Sequence, residues 1–244
     1  MTTGKLTIAV LGAGNIGGTL GRKWAGAGHQ VAFGVNDPNG KHAQTLRSDL
    51  GDKVTIGTVS EALNSNPDVV VMAVPGAAMD ATITGYANQL EGRIILDTAN
   101  RMGGGPLNSL ATFQQHTPGA RVFRAFNTLG WENFANPEFE GGPADLFYCG
   151  PEANARTVVE ELITDVGLHP MYLGYRAGWS GRRSCGAVVR TGFGSRQGAP
   201  PGLQGSHTVA QRCTWSLFKR DPDKRKGQVS GSPFLFGFLP NSPS

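Results

Sequence analysis

The sequence has little cysteine and no long apolar run. Its 244 residues include only three cysteines, Cys149, Cys185 and Cys213, which are widely spaced. No C-x-x-C pair, H-x-x-x-H spacing or mixed Cys/His cluster occurs, so we predict no metal site and expect ordinary reduced thiols. No apolar stretch reaches 18 residues, and no charged-then-apolar leader opens the chain. We therefore expect a soluble, cytoplasmic protein without a membrane partner.

Acidic residues are nearly absent from the last part of the chain. Residues 175–244 contain 11 basic residues but only two acidic ones, Asp221 and Asp223, whereas residues 1–174 contain 11 basic and 16 acidic residues. The same C-terminal stretch holds 11 glycines, 6 prolines and 9 serines, without a helical or strand period. The sequence thus predicts a folded domain over residues 1–174 and an irregular, basic, Gly/Arg/Ser-rich tail over residues 175–244.

Three interpretations of this tail stay open. The basic clusters 182–183 and 224–226 would suit a nucleic-acid-binding arm, but no aromatic spacing or known module accompanies them, which disfavours a nucleic-acid partner. The composition is also typical of a disordered extension. We favour a third hypothesis, a frame shift near Gly174, because the regular pattern of the chain stops abruptly there. The coding DNA tests it, since another reading frame after codon 174 should then contain helix-forming sequence.

Before residue 174 the pattern alternates between short apolar strands and amphipathic helices. The predicted strands are 8–11, 30–33, 54–56, 68–75, 93–97, 121–126, 146–149 and 170–173. The predicted helices are 19–27, 41–50, 60–64, 77–90, 107–116 and 152–166, with Thr58 or Ser60 as the possible cap of the third. This order predicts an α/β fold, a Rossmann-type doubly wound parallel sheet.

The most informative motif lies directly after the first predicted strand. Gly12, Gly14 and Gly17 form the pattern G-x-G-x-x-G between that strand and a helix-like segment. The first glycine permits a tight turn, the second lets a pyrophosphate approach the backbone, and the third allows close packing of helix on strand. The N-terminus of the helix directs backbone N–H groups at the phosphates. The motif therefore predicts a dinucleotide-binding site.

No carboxylate follows the second predicted strand where one usually binds the adenine-side ribose. That acid lies about 20 residues after the first glycine, and the corresponding positions here are Ala32, Phe33 and Gly34. Its absence removes a repulsion that a ribose 2′-phosphate would feel, which favours NADP and leaves NAD possible. The nearby groups suited to hold that phosphate are Asn36, Lys41, His42 and Arg22, whereas Asp37 argues for NAD.

The ends of the predicted strands supply the other candidate site residues, because ligands on such sheets bind outside the carboxyl ends of the strands. The small segment 73–75 lets a nicotinamide ribose lie against the backbone. Thr98, Asn100, Asn127 and Thr128 offer neutral groups that either hold a carboxamide or cap the following helices. No Lys, Tyr or His stands at a strand end, so no catalytic residue is predicted, and hydride transfer between two flat rings needs none. The predicted cofactor-binding residues are Gly12, Ala13, Gly14, Asn15, Ile16, Gly17, Gly34, Asn36, Ala73, Val74, Pro75, Thr98, Asn100, Ala125 and Asn127.

Several segments together resemble the NADPH-dependent coenzyme F-420 reductases (F-420:NADP oxidoreductases). They are the glycine motif and residues 28–31 (GHQV), 34–38 (GVNDP), 70–75 (VVMAVP) and 124–133 (RAFNTLGWEN). The resemblance covers about residues 5–174, and its most specific part is the Phe-Asn-Thr segment followed by WENFANP. It implies a Rossmann domain, NADP as cofactor, hydride transfer to coenzyme F-420 or a similar flat acceptor, and a homodimer. Two other functions stay open: reduction of a small imine or metal chelate, and NADP sensing without catalysis.

The chain departs from the family pattern in two places. In the family the second strand usually ends Gly-x-Arg-Asp, and the arginine binds the 2′-phosphate. Asn36 stands at that position, so we expect the preference for NADP to be weaker by about 1–3 kcal/mol, the scale of a hydrogen bond to a charged group. The family's C-terminal helical segment, which helps to cover the acceptor pocket and supports dimers, has no counterpart from Tyr175 onward. We expect this second departure to impair the activity.

Overall fold

The computed structural model of the chain describes residues 4–101, 106–139, 142–151 and 154–175. The predicted tail beyond Tyr175 lies outside the described residues, and so does the frame-shift hypothesis. Eight strands are described: β1 Thr7–Leu11, β2 Gln30–Gly34, β3 Val54–Gly57, β4 Val69–Met72, β5 Ile94–Asp97, β6 Arg121–Arg124, β7 Asp145–Tyr148 and β8 His169–Tyr172. The described α-helices are α1 Asn15–Ala27, α2 Lys41–Leu50, α3 Val59–Asn64, α4 Met79–Gly85, α5 Ala87–Leu90, α6 Leu110–His116, α7 Trp131–Ala135 and α8 Ala155–Val166.

Six strands form one parallel sheet in the order β3-β2-β1-β4-β5-β6. The strand order reverses direction between β1 and β4, which is the defining feature of a doubly wound sheet. Every residue of β4 is fully buried, as expected for a central parallel strand covered by helices on both faces. The Rossmann-type α/β fold predicted from the sequence is therefore confirmed.

The last two strands do not continue this sheet, contrary to the prediction of one parallel series. β7 and β8 pair with each other in a separate two-stranded sheet. An isolated antiparallel bridge between Arg124 and Cys149 links the end of β7 to β6, with N–H···O distances of 2.8 and 3.0 Å. In the described part of the segment between β6 and β7, the chain forms the five-residue helix α7.

Aromatic contacts fix helix α1 to the elements that follow the sheet. The buried Trp24 indole donates from Nε1 to the carbonyl of Leu162 in α8 at 2.9 Å. Its ring meets Phe126 edge-on at 6.1 Å, and Phe126 in turn meets Phe134 of α7 at 5.2 Å. Such edge-to-face pairs add about 0.5–1.5 kcal/mol each beyond the buried area. The helix that carries the glycine motif is thus held rigidly against residues just beyond β6.

A turn of the backbone interrupts or ends two of the predicted elements early. The helix predicted over 77–90 is interrupted at Tyr86, whose backbone (φ −122°, ψ 23°) leaves the helical region between α4 and α5. The strand predicted over 121–126 ends at Arg124, and Phe126 has a φ of +62°, which a strand cannot contain. Apolar spacing alone does not register such backbone turns.

Helix α3 begins with a capping box, which decides between the two predicted caps. Thr58 Oγ1 accepts from the Glu61 N–H at 3.3 Å, and the Glu61 carboxylate accepts from the Thr58 N–H at 2.7 Å. The bond from the Thr58 N–H, followed by that from its hydroxyl, lowers the pKa of Glu61. Thr58, not Ser60, is the cap.

We expect Thr58→Ala to lower the free energy of unfolding by about 1 kcal/mol, because an unpaired N-terminal N–H group of α3 results. Ser60→Ala, two residues further into the same turn, is the matched control and should change it by less than about 0.5 kcal/mol. Urea denaturation measures both variants. Equal losses would mean that the side chain of Thr58 does not cap this helix.

Candidate functional site

A cleft of about 740 Å³ lies outside the carboxyl ends of the strands of the large sheet. Its lining comes from the segments after five strands: 12–16 after β1, 34–37 after β2, 73–76 after β4, 98–100 after β5 and 126–129 after β6, excepting Thr128. Residues 40–43 of the α2 N-terminus, together with Val59, Ala78, Thr82 and Tyr86, complete it. This is the position at which doubly wound sheets bind ligands.

The glycine turn lies at the centre of the cleft. One of its three glycines has free space where a side chain would be, and the other two do not. Gly12 has a φ of +105°, and a Cβ there would lie 2.5 Å from the Ala73 carbonyl oxygen. A Cβ at Gly17 would lie 2.1 Å from the Gly12 carbonyl oxygen, whereas a Cβ at Gly14 would meet no heavy atom within 4 Å. Gly14 is also the N-cap of α1, and no side chain caps that helix end. The open space before an uncapped helix N-terminus suits an anionic group.

The structure brings all but two of the predicted cofactor-binding residues to this cleft. Gly17 lies beneath the turn, where it permits the close contact with Gly12. Ala125 is fully buried, and its N–H donates to the Asp97 carbonyl oxygen at 3.3 Å. Neither residue lines the cleft, although each lies next to residues that do.

The polar groups at the β2 end of the cleft are Asn36, Asp37, Lys41 and His42. The Asp37 carboxylate accepts from the Asn39 N–H at 2.9 Å, and its carbonyl oxygen accepts from the Gly40 N–H at 3.0 Å. This local turn occupies one carboxylate oxygen of Asp37 and brings the chain to the start of α2. Two nitrogen-bearing side chains, Lys41 and His42, follow at the N-terminus of that helix.

Arg22, another residue considered for the 2′-phosphate, does not line this cleft. Its Nη2 donates to Asp49 Oδ2 at 2.6 Å, and its Nη1 donates to the Gly18 carbonyl oxygen at 3.1 Å. It lines a smaller cavity of about 200 Å³ on the α1 side of the glycine turn, with Trp131. This smaller cavity shares Ala13, Gly14, Asn15 and His42 with the cleft, whereas Asn36 lines the cleft alone.

The neutral side chains after β5 and β6 do not cap the following helices. The N-cap residue of α6 is Ser109 and that of α7 is Gly130. Thr98 Oγ1 donates to the Met72 carbonyl oxygen at 2.9 Å, which ties the end of β5 to β4. Asn100 Nδ2 donates to the Asn127 carbonyl oxygen at 2.7 Å. The capping alternative is therefore wrong for Thr98, Asn100 and Asn127.

A buried ion pair directly beneath these residues was missed by sequence reasoning. Arg124 Nη1 donates to Asp97 Oδ2 at 2.5 Å, and the two side chains are 1% and 0% exposed. Arg124 Nη2 also donates to Asn100 Oδ1 at 3.1 Å. The Ala99 N–H donates to Asp97 Oδ1 at 2.9 Å. A sequence signal for this pair does exist: each of two neighbouring strands ends in a charged residue, Asp97 in β5 and Arg124 in β6.

Asn127 completes this network from the cleft side. When its amide is oriented to satisfy both partners, Asn127 Oδ1 accepts from Arg124 Nη2 at 2.6 Å and from Arg124 Nε at 3.2 Å. Burial raises the pKa of the Asp97 carboxyl, while the Arg124 guanidinium and the Ala99 N–H act in the opposite direction. A paired and multiply hydrogen-bonded arginine of this kind holds its neighbours in one geometry.

Two other kinds of feature, a membrane span and a metal cluster, are not found among the described residues. Within the described ranges, no helix has the length and apolarity needed to cross a membrane. The part of the chain that the structure describes also holds no group of three or more His, Cys, Asp or Glu residues arranged for a metal ion.

Two solved structures share this fold and more than a quarter of the aligned sequence. An Arthrobacter sp. FB24 protein assigned as an F420-dependent NADP reductase is 27% identical, with a TM-score of 0.61, over 71% of this chain and 86% of its own. A hypothetical protein, SMa0349, from Sinorhizobium meliloti is 28% identical, with a TM-score of 0.62, over 74% of this chain and 91% of its own. Both likenesses extend over most of the described residues.

A curated relative and a family model agree with this likeness. The rat (Rattus norvegicus) metalloreductase STEAP3 is 26% identical over 172 residues, and the chain spans 33% of the length of that protein. The model of the family "NADP oxidoreductase coenzyme F420-dependent" matches residues 7–101, which carry the glycine motif and strands β1 to β5. The resemblance predicted from the sequence is thereby confirmed: the chain has a Rossmann-type fold and is similar over residues 7–101 to the coenzyme F420-dependent NADP oxidoreductases.

Proposed function

We propose that this protein binds NADP in the described cleft and transfers a hydride between NADPH and a flat acceptor, a deazaflavin such as coenzyme F-420. The observation that carries the proposal is the cleft itself, in which an open glycine turn and an uncapped helix meet small and neutral residues at the strand ends. In the reaction, NADPH gives up a hydride, the acceptor takes up that hydride and one proton from water, and NADP⁺ is released.

The glycine turn fits the phosphates of such a cofactor. Gly14 has no side chain, so the space before α1 stays free for a phosphate, and the first turn of that helix contains no acidic side chain. The backbone N–H groups at this helix start therefore meet no competing negative charge. At the β2 end, Asn36, Lys41 and His42 offer donors for a ribose 2′-phosphate, which supports NADP even though Asn36 replaces the arginine that is usual in the family.

The strand ends at the opposite side of the cleft carry no acid or base. Among the described residues, the segments that directly follow β4, β5 and β6 contribute residues 73–76, 98–100, 126, 127 and 129 to the lining, and Ala78, Thr82 and Tyr86 line it from further along the chain. None of the strand-end residues has an ionisable side chain. Reduction of a carbonyl to an alcohol generally needs a positioned proton donor, whereas a conjugated ring acceptor takes its proton from water. This difference favours a flat ring over a simple ketone.

Two rival functions correspond to two outcomes of one experiment. The relative STEAP3 is named a metalloreductase, which keeps a metal chelate as an acceptor beside a small imine. The other rival is an NADP sensor that binds the cofactor without turnover. The same resemblance underlies our further proposal that the protein works as a cytoplasmic homodimer with a small-molecule acceptor.

The test is a titration of the full chain with NADPH and NADH, followed by stopped-flow oxidation of the bound cofactor with coenzyme F-420. NADPH binding with fast oxidation would support the proposal. Binding without oxidation by F-420, but with oxidation by a flavin, an imine or a ferric chelate, would move the function to that acceptor. Binding without oxidation by any of them would favour the sensor, and no binding of either nucleotide would refute the proposal.

We expect Gly14→Ala to weaken NADPH binding at least tenfold without a loss of stability. Its methyl group would occupy the open space before α1 and displace a phosphate, yet it would touch no protein atom within 4 Å. Gly26→Ala serves as the control, because Gly26 lies in the same helix, is also free of neighbours, and lies outside the cleft lining. Fluorescence titration and thermal unfolding of both variants give the comparison. Unchanged affinity in Gly14→Ala would place the phosphates elsewhere.

A further inference from the structure

We infer that Arg124 is a positioning residue: it orients the side-chain amide of Asn127 so that the amino group faces a ligand carbonyl oxygen in the cleft. The inference rests on the proposed function, because that carbonyl belongs either to the nicotinamide carboxamide or to the acceptor. Arg124 does not line the cleft, so it acts only through its neighbours.

The guanidinium of Arg124 has fixed directions for its donors, and the structure accounts for them on three partners. Nη1 donates to Asp97 at 2.5 Å, which holds the side chain in place from below. Nη2 donates to Asn100 Oδ1 at 3.1 Å, and in the amide orientation that satisfies both residues Nη2 and Nε donate to Asn127 Oδ1 at 2.6 and 3.2 Å. Since the guanidinium carries donors and no acceptor, it can bind only the oxygen of each amide.

Because the guanidinium only donates, it determines whether the oxygen or the amino group of the Asn127 amide is available to a ligand. An unrestrained amide can rotate by 180° and present either a donor or an acceptor. With two hydrogen bonds from Arg124 on the oxygen, the rotated form would place an amino group against two N–H donors, which is strongly unfavourable. Asn127 lines the cleft and is 6% exposed. The amino group is therefore the part of the amide that a ligand can use.

Asn100 has a different role, although it also lines the cleft. Its Oδ1 accepts from Arg124, and its Nδ2 donates to the backbone carbonyl oxygen of Asn127 at 2.7 Å. Both ends of this amide are thus engaged within the protein. Asn100 fixes the backbone of Asn127 while Arg124 fixes its side chain, so the donor is restrained in position as well as in orientation. A preorganised donor binds a carbonyl at a lower entropic cost than a mobile one.

The sharpest variant is Asn127→Asp. The aspartate keeps an oxygen for Arg124 but replaces the amino group with a second oxygen, which repels a ligand carbonyl. Arg124→Lys keeps the charge opposite Asp97 but loses the fork that orients the amide. The probes are NADPH and 2′-phospho-ADP-ribose, which has the same phosphates and adenosine but no nicotinamide.

We expect Asn127→Asp to weaken NADPH binding about tenfold and leave 2′-phospho-ADP-ribose unchanged, if the carbonyl belongs to the nicotinamide. If it belongs to the acceptor, both affinities stay unchanged and the KM for F-420 rises about tenfold at constant kcat. Arg124→Lys should show the same pattern at about threefold. Thermal unfolding of each variant separates these effects from damage to the fold, which would weaken both probes together.

The inference is overturned if Asn127→Asp changes neither the NADPH affinity nor the acceptor KM, or if it weakens the two probes equally. It is also overturned if Arg124→Lys matches the wild type while Asn127→Asp does not, because the amide would then need no orientation by Arg124. A wild-type chain that binds neither probe refutes the proposed function, and the inference fails with it. Binding of both probes by the wild type with no effect of either variant refutes the inference alone.

Discussion

The variant Gly17→Ala is expected to lose at least about 3 kcal/mol of its free energy of unfolding, the upper part of the range for overpacking a rigid site. A Cβ at this position would lie 2.1 Å from the Gly12 carbonyl oxygen and 3.0 Å from the Ala73 Cβ. Both neighbours belong to the tight segments after β1 and β4, so neither can move without disturbing the sheet. Relief therefore requires α1 to shift away from the strands.

Such a shift would break contacts far from the glycine. Trp24 lies two turns further along α1 and donates to the Leu162 carbonyl oxygen, and its ring contacts Phe126. We expect the nucleotide affinity of Gly17→Ala to fall together with the stability, because the start of α1 and the strand end that it faces would separate. This joint loss differs from Gly14→Ala, for which only the affinity should fall.

Gly26→Ala supplies the control in the same helix. A Cβ there meets nothing within 4 Å, so alanine should instead raise the stability by about 0.5–1 kcal/mol through its higher helix propensity. Urea denaturation curves of the two variants give the comparison. A Gly17→Ala protein within about 1 kcal/mol of the wild type would show that helix α1 does not pack on the glycine turn as described.

The glycine turn and the sheet could be predicted from the sequence because their signals are local. An apolar strand, three spaced glycines and a helix occupy consecutive residues, and the alternation of such units specifies a parallel sheet. The positions at which strands end were less well predicted. β6 stops two residues before its predicted end, since Phe126 adopts a φ of +62°. That conformation is rare for a large side chain, and it is held here by the packing of its ring between Trp24 and Phe134.

The network beneath the cleft could not be predicted in the same way. Asp97 and Arg124 lie 27 residues apart, and each follows three residues of an apolar or mixed strand. Their pairing depends on the neighbouring positions and aligned ends of β5 and β6, where Asp97 is in register with Arg124. Only the order of strands in the sheet makes them partners. The sequence likewise predicted Asn100 and Asn127 as cofactor-binding candidates without showing that Arg124 contacts both of them.

The ion pair itself leads to the second large effect. Arg124→Met is expected to cost about 3–5 kcal/mol, because it leaves the Asp97 carboxylate buried without a counter-charge. The side chains of both partners are almost wholly buried, at 1% and 0% exposure. The exposed pair Arg22–Asp49 has nearly the same distance, 2.6 Å, but its side chains are 36% and 45% exposed. Arg22→Met should therefore cost no more than about 1 kcal/mol.

The double variant Asp97→Leu/Arg124→Met separates the cost of an unpaired charge from the value of the pair. Asp97→Leu alone should also cost about 3–5 kcal/mol, since it leaves the guanidinium unpaired. Removal of both charges should recover at least half of either single loss, because the desolvation penalty of each ion disappears as well. The remainder reflects the Ala99 N–H and the two amides, which lose their partners. Denaturant curves of the wild type, the two single variants and the double variant give a double-mutant cycle. Additive losses of stability in that cycle would contradict a direct pairing of the two side chains.

The same cycle distinguishes stability from positioning. A pair retained only for stability would allow the double variant to bind NADPH and reduce F-420 as the wild type does once the fold is recovered. On the arrangement described here, Asn127 would instead lose the guanidinium that holds its oxygen, and its amide would be free to rotate. We therefore expect the double variant to recover stability while it keeps the roughly threefold defect of Arg124→Lys or exceeds it. That divergence would mean that the buried charge pair orients the donor above it and adds little net stability to the fold.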